Sequence, residues 1–280
     1  MSAPPTLVDG VATAEIPASD RGLMYGDGLF ETIAVCRGLP CLWNAHLARL
    51  RRGAERLSIP LPDESLLRRE CAEVAGPASR CVVRLTLTRG SGGRGYRPPR
   101  RPRPRRILSR YAWPEYPPRW RTEGVRADVC RTRLAHQPLL AGIKHLNRLE
   151  QVLARSEWDD SEQAEGLMCD VHGRVIGGTM TNLFVFHRAR LATPSLAACG
   201  IQGTVRGLVL EHAGRFGLTV VERELGIQDI EGAEGLFLTN AVIGVWTVRL
   251  LGQRRYDVHR LPLEFLDWVR IAVHQPDPEA

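Results

Sequence analysis

An α+β fold in two lobes is what this sequence predicts, and three observations predict it. Short alternating runs rich in β-branched residues are interleaved with amphipathic helical periods along the whole chain, with no internal repeat. At 280 residues the chain suits two domains, or one large domain with an elaborated lobe. Prolines and aromatics cluster in WPEYPP at 113–118 and interrupt both patterns. Residues 1–112 are therefore expected to form an N-terminal α/β lobe, 113–118 a linker, and 119–280 a larger C-terminal lobe.

The elements follow in order from residue spacing. From Leu42, LWNAHLARLRRGAERL puts Leu47, Leu50, Ala54 and Leu57 on one helical face, with Asn44 placed to cap it. CVVRLTLTRG, from Cys81 to Gly90, alternates and is β-branched, which reads as a strand. In GYRPPRRPRPRRILSR, prolines and arginine clusters exclude regular structure until Ile107, so Gly95 to Arg106 is expected as a surface loop. The second half reads as a strand from Gly124 to Cys130 and a helix from Asn147 to Trp158, with Leu146, Leu149, Val152 and Leu153 inward. A hairpin of Gly166–Asp170 with Arg174–Phe186 follows, then a helix over Thr204–Phe216, a strand over Gly235–Thr239 and a final helix over Leu263–Val273.

The net charge of +7 suits an anionic partner, and it bears on encounter rates and solubility more than on fold. The opening residues carry no basic stretch followed by an apolar one, and no apolar run approaches the roughly 20 residues of a membrane span. A soluble cytoplasmic protein with no membrane partner is expected. Seven dispersed cysteines, never in CxxC spacing, indicate neither a disulfide framework nor a zinc site, so no metal is expected. GSGGRG, Gly90 to Gly95, has the spacing of a dinucleotide-binding turn but runs into prolines instead of opening a helix. The arginines from Arg97 to Arg106 lack the interleaved aromatics of a single-strand platform, so they read as a solvated loop and no nucleic acid partner is expected.

The chemistry gathers around one residue. Lys144 is the single lysine, against thirty-seven arginines. Arginine stays protonated, whereas a lysine amine can lose its proton and form a Schiff base with an aldehyde or ketone. Arginine-biased coding with one leftover lysine explains the count equally well, so the surroundings must decide. GIKHLNRLEQVLARSEW sets Lys144 just before a helix, and ACGIQGTVRGLVLEH reads as a glycine-rich turn opening a helix whose first amides can hold an anion. LTNAVIG forms a second such turn. Lysine and anion sites together suit pyridoxal 5'-phosphate, although an ordinary capped helix accounts for the GIQGT turn on its own.

Taken together, these segments resemble the fold-type IV pyridoxal-phosphate enzymes. The resemblance runs through DRGLMYGDGLFETI, HLARL, RGSGGRGY, AGIKHLNRLEQVLARSEW, TNLF, GIQGTVR and LTNA. RGSGGRGY and AGIKHLNRLEQVL look like the aminodeoxychorismate lyases of that group more than its aminotransferases. The resemblance implies a small N-terminal α/β lobe and a larger β-rich C-terminal lobe, with the cofactor between them, in a homodimer. It implies that Lys144 is the cofactor-bearing catalytic lysine and that Arg49 grips the phosphate with the amides of Ile201 and Gln202. Asn240 falls on the second phosphate turn, and Arg94 and Tyr96 lie where relatives approach a small anionic substrate.

One position departs from the pattern. Where the family carries a glutamate before GlyThrMetSerAsn, this chain reads VIGGTMTN, so Gly177 replaces an acid that pairs with the cofactor ring nitrogen. A lyase whose product is aromatic tolerates that loss better than an aminotransferase. The expected activity is conversion of 4-amino-4-deoxychorismate to p-aminobenzoate and pyruvate, a step of folate synthesis. The alternatives are a D-amino-acid or branched-chain aminotransferase, and a cofactor-binding paralogue with little or no activity.

Overall fold

The computed structural model describes residues 6–277. They divide into two compact units. One holds the chain up to Pro114, the segment Ile143–Asn147 and the residues from His274 onward; the other holds Glu115–Gly142 and Arg148–Val273. The first boundary lies between Pro114 and Glu115. The excursion of Ile143–Asn147 was not expected, and it moves Lys144 out of the C-terminal lobe into the first unit.

The first unit contains β1 (Thr6–Val8), β2 (Val11–Ala12), α1 (Arg21–Tyr25), β3 (Gly28–Cys36), β4 (Leu39–Pro40), α2 (Trp43–Leu57), α3 (Glu64–Ala75), β5 (Arg80–Thr88) and β6 (Arg105–Ala112). Its sheet runs β2-β1-β6-β5-β3-β4, and every pair is antiparallel. Helix α2 buries Leu47, Leu50 and Ala54 as the periodicity requires, together with His46 and Arg49. Gly53 lets it close on β3, because a Cβ there would stand 2.8 Å from Leu29. Asn44 is not its cap: the helix starts at Trp43, and the Asn44 amide donates instead to the Asp277 carboxylate at 2.9 Å. The arginine-rich loop ends two residues early, because Arg105 and Arg106 pair with Asp20 and Glu70 and join the sheet opposite Thr88 and Leu87.

The second unit contains α4 (Arg119–Thr122), β7 (Val125–Leu134), α5 (Leu149–Arg155), β8 (Gln163–Asp170), β9 (Val175–Gly178), β10 (Asn182–His187), β11 (Arg190–Pro194), α6 (Thr204–His212), β12 (Thr219–Arg223), α7 (Ile227–Glu231), β13 (Gly235–Asn240), β14 (Gly244–Leu251), β15 (Arg254–Arg255) and α8 (Leu263–Val273). Its nine-stranded sheet runs β12-β11-β10-β13-β14-β7-β8-β9, with β15 on β14. The core between sheet and helices includes Leu167, Leu183, Leu225, Leu236, Leu238 and Val248.

Two expectations fail here for physical reasons. The helix after Lys144 is only two turns long, since Leu146 is spent in hydrogen bonding to β3. It buries Ala154 alone and leaves Leu149, Val152 and Leu153 exposed at 76%, 60% and 59%. The run Arg174–Phe186 is two strands, because Thr179, Met180 and Thr181 turn toward the carboxylate of Glu165.

Candidate active site

Lys144 lies on an irregular strap that the edge of β3 straightens. Phe30 donates its amide to the Lys144 carbonyl at 2.9 Å, and Leu146 donates to Gly28 at 3.0 Å. The strap ends on Asn147, whose amide side chain donates to the Gly26 carbonyl and fills the space a Gly26 Cβ would need. The lysine is therefore anchored by a β-ladder and not by the helix expected after it. Its Nζ stands 4.3 Å from the centre of the buried Phe30 ring.

The same ring carries a second cation. The Arg84 guanidinium lies 4.0 Å from its centre, half-buried, and no carboxylate among the described residues pairs with it. Burial lowers its proton affinity below the ordinary arginine range. A partly desolvated guanidinium without an anion is a receptor for one. Sequence reading passed over Arg84, although an arginine between Val82 and Thr86 on an alternating strand carries that signal.

Arg49 is buried, not solvent-facing. Its Nε and one Nη donate to the two oxygens of Glu31, at 2.8 and 2.5 Å, and His46 Nδ1 lies 2.6 Å from the same carboxylate. Burial pushes the Glu31 carboxyl upward, but the charge of Arg49 and hydrogen bonds from Arg49 and His46 pull it down to about 2. Burial pushes His46 below its ordinary value against Glu31, and the charges of Arg49 and Lys144 add to the shift. A neutral His46 with its proton on Nδ1 donates to Glu31. Glu31, an acid within the apolar strand LFETIAV, thus fixes the plane of the guanidinium.

The RGSGGRGY loop is held by groups other than those expected to meet substrate. Arg21 spans Asp27 and the carbonyls of Gly95 and Tyr96, while Arg89 grips Asp27 with the carbonyls of Leu57 and Ser58. Arg94 is exposed, and Tyr96, 85% exposed, leans on the Tyr25 ring. No helix begins at Gly95, which excludes the dinucleotide reading.

In the second unit the amides and side chains of the glycine-rich turns are largely engaged within the protein. The Gln202 amide donates to Gly142, and Gly142 donates to Gly200, so Gln202 is committed to a bridge and not to an anion cup. Ile201 lies in that bridge, and its carbonyl accepts from Asn182 at 2.9 Å. The helix start proper is Thr204, whose buried hydroxyl has no partner. Asn240 shapes its turn instead of gripping from it, accepting the amides of Val242 and Ile243 at 2.9 Å. Beside it the buried Thr239 hydroxyl is also unpartnered. Both threonines are legible in the sequence as hydroxyls bordering GlyIleGlnGly and Asn.

Gly177 is buried in β9, where a Cβ would stand 2.8 Å from the Thr181 carbonyl oxygen. Glu165 lies close by, within 2.6 Å of where a Gly178 Cβ would stand, but five protein donors already occupy its oxygens. It cannot take over the missing acid's bond without giving up one of them.

The family model for class IV amino-transferases matches residues 28–251, which include parts of both units. The chain belongs to that family. Among class IV relatives, an aminodeoxychorismate lyase from Vibrio harveyi is 35% identical over 238 residues, covering 85% of this chain and 88% of its own. A putative branched-chain-amino-acid aminotransferase from Methanocaldococcus jannaschii is 32% identical over 81% of this chain and 79% of its own. Among solved class IV structures, 4-amino-4-deoxychorismate lyase from Pseudomonas aeruginosa is 47% identical with a TM-score of 0.91, covering 95% of this chain and 98% of that one.

Proposed function

We propose that this chain is a pyridoxal-phosphate-dependent lyase that converts 4-amino-4-deoxychorismate to p-aminobenzoate and pyruvate. The observation that carries the reading is the strapping of the single lysine along β3, with its Nζ 4.3 Å from the ring of Phe30, a ring that also carries the anion receptor Arg84. The likeness to the Pseudomonas lyase supports the choice of reaction. Each unit by itself carries groups that fit the cofactor: in the first, a strapped lysine suits its aldehyde; in the second, two buried threonine hydroxyls without hydrogen-bond partners, one at a helix start, suit a phosphate. Arg49 adds a guanidinium whose five N–H donors allow it to hold both Glu31 and a phosphate oxygen.

When bound, pyridoxal phosphate supplies an electrophilic aldehyde and an electron-accepting ring. Lys144 would hold it through its amine and, as the general base, would take the proton from the ring carbon that bears the substrate's amine. Arg84 orients the substrate through a carboxylate. Departure of the enolpyruvyl group as pyruvate leaves an aromatic ring, a driving force that does not depend on an acid at position 177. Purified protein given cofactor and 4-amino-4-deoxychorismate should release p-aminobenzoate and pyruvate in equal amounts. Amino transfer that requires an added keto acid, with no p-aminobenzoate, would replace this reading with an aminotransferase.

The exposed row Leu149, Val152 and Leu153 on α5 supports a homodimer, since a two-turn helix with that face in water gains by covering it. Sedimentation of the native chain and of a Leu149→Glu variant tests this: dimer for the first and a shift toward monomer for the second. Among the described residues no helix is long and apolar enough to cross a membrane.

A further inference from the structure

Glu165 is a fully buried carboxylate on β8 that pairs with no cation among the described residues. Its Oε1 accepts the Gly166 amide at 2.9 Å, the Thr179 amide at 3.0 Å and the Thr179 hydroxyl at 2.5 Å. Its Oε2 accepts the Thr181 hydroxyl at 2.9 Å and the Met180 amide at 3.2 Å. Burial outweighs these donors and pushes the carboxyl above its ordinary range. A group this costly to bury is expected to organise something.

What it organises is the turn between β9 and β10, and both anion turns hang from that turn. The Met180 carbonyl accepts the side-chain amide of Asn240 at 3.3 Å, while Asn240 Oδ1 gathers Val242 and Ile243. Asn182, the first residue after the turn, donates to the Ile201 carbonyl at 2.9 Å. Its Oδ1 also fills the space a Gly203 Cβ would need, so it is seated against the residue that precedes Thr204.

We infer that Glu165 is a positioning residue for phosphate recognition, setting the Thr204 and Thr239 turns in register through Met180 and Asn182. This rests on the reading of those turns as a phosphate site. Glu165 touches no reacting atom in this scheme. Its removal should cost affinity for the phosphate group and spare affinity for the rest of the cofactor.

The test is a titration of apoprotein with pyridoxal 5'-phosphate and, separately, with pyridoxal, which has the same aldehyde and ring without the phosphate. In the native chain the phosphorylated form should bind at least about tenfold tighter. Glu165→Ala should shrink that preference by about tenfold with pyridoxal affinity unchanged. Glu165→Gln should keep most of it, because the amide oxygen retains the three Oε1 contacts and the NH2 can donate to Thr181, so only the long Met180 amide bond at 3.2 Å is lost. Asn182→Ala, which leaves every Glu165 contact in place, should reproduce the loss and serves if Glu165→Ala does not fold. A preference undiminished in Glu165→Ala or in Asn182→Ala, or an equal loss for both ligands, overturns the inference alone. A native chain with no preference for the phosphorylated form overturns the phosphate site and the inference with it.

Discussion

Lys144 and Arg84 converge on one ring: the lysine Nζ lies 4.3 Å and the guanidinium carbon 4.0 Å from the centre of Phe30. The β3 ladder sets the lysine and the alternation of β5 sets the arginine, so neither position depends on a flexible tip. If Arg84 receives a substrate carboxylate, Arg84→Met should raise KM about ten- to a hundredfold, the equivalent of one charge-assisted hydrogen bond. Cofactor affinity should be unchanged. Steady-state kinetics beside a cofactor titration check this, and a variant with normal KM removes Arg84 from the site.

The orphaned hydroxyls give a prediction with opposite signs for fold and ligand. Thr204→Val and Thr239→Val each delete a buried polar atom that lacks a partner, so melting of the apoprotein should be unchanged or slightly higher. Affinity for pyridoxal phosphate should fall by several-fold for each, about 1 kcal/mol. Scanning calorimetry and titration on the same samples separate the two effects. A drop in apoprotein stability with normal affinity would make both hydroxyls structural.

Acid should weaken the first unit through Glu31. Its carboxyl is held at about 2 in the fold against an ordinary value of 4.5, so its stabilising contribution is full above pH 4.5 and disappears as pH falls toward 2. His46, buried with a lowered value, adds acid lability that begins below its ordinary 6.5. Arg49→Ala should cost about 3–5 kcal/mol because it strands a buried carboxylate, in addition to weakening the cofactor. Urea midpoints measured between pH 8 and pH 3 test both statements. If Glu31→Gln has the same acid profile as the native chain, Glu31 is not the source of that dependence.

Gly177→Glu restores the family acid but meets the Thr181 carbonyl, 2.8 Å from its Cβ, so the turn that Glu165 holds must shift. We expect a lower melting temperature, about 1–3 kcal/mol of lost stability. Any amino-transfer side reaction should gain more in rate than p-aminobenzoate release, because aromatisation already assists the lyase step. Calorimetry and the ratio of the two rates decide it. Equal stability with no change in that ratio would mean that position 177 never faces the cofactor ring.

Legibility in the sequence tracked the range of the interaction. Helix α8 and the apolar stripe of α2 were readable because periodicity is local. The two-turn α5 was not, because its length depends on Leu146 bonding to Gly28, more than a hundred residues earlier. For the same reason the engagement of the Gln202 amide was not legible: the carbonyl that accepts it, Gly142, comes from a distant stretch of chain. Lys144 stood out by its rarity, and Arg49 by the HLARL motif. Arg84, Glu31 and Glu165 were overlooked because each is a charged residue on a strand, and strand pattern shows which face such a residue occupies but not which partner it meets.

Lys144, the only lysine in the sequence, is expected to carry the cofactor. The most direct measurement is borohydride reduction of the protein incubated with pyridoxal phosphate, followed by digestion and mass analysis. One adduct is expected, on the peptide containing Lys144, with a visible absorption band that disappears on reduction and is absent from Lys144→Arg. A band that persists in Lys144→Arg, or a native chain that acquires neither band nor adduct, would contradict it.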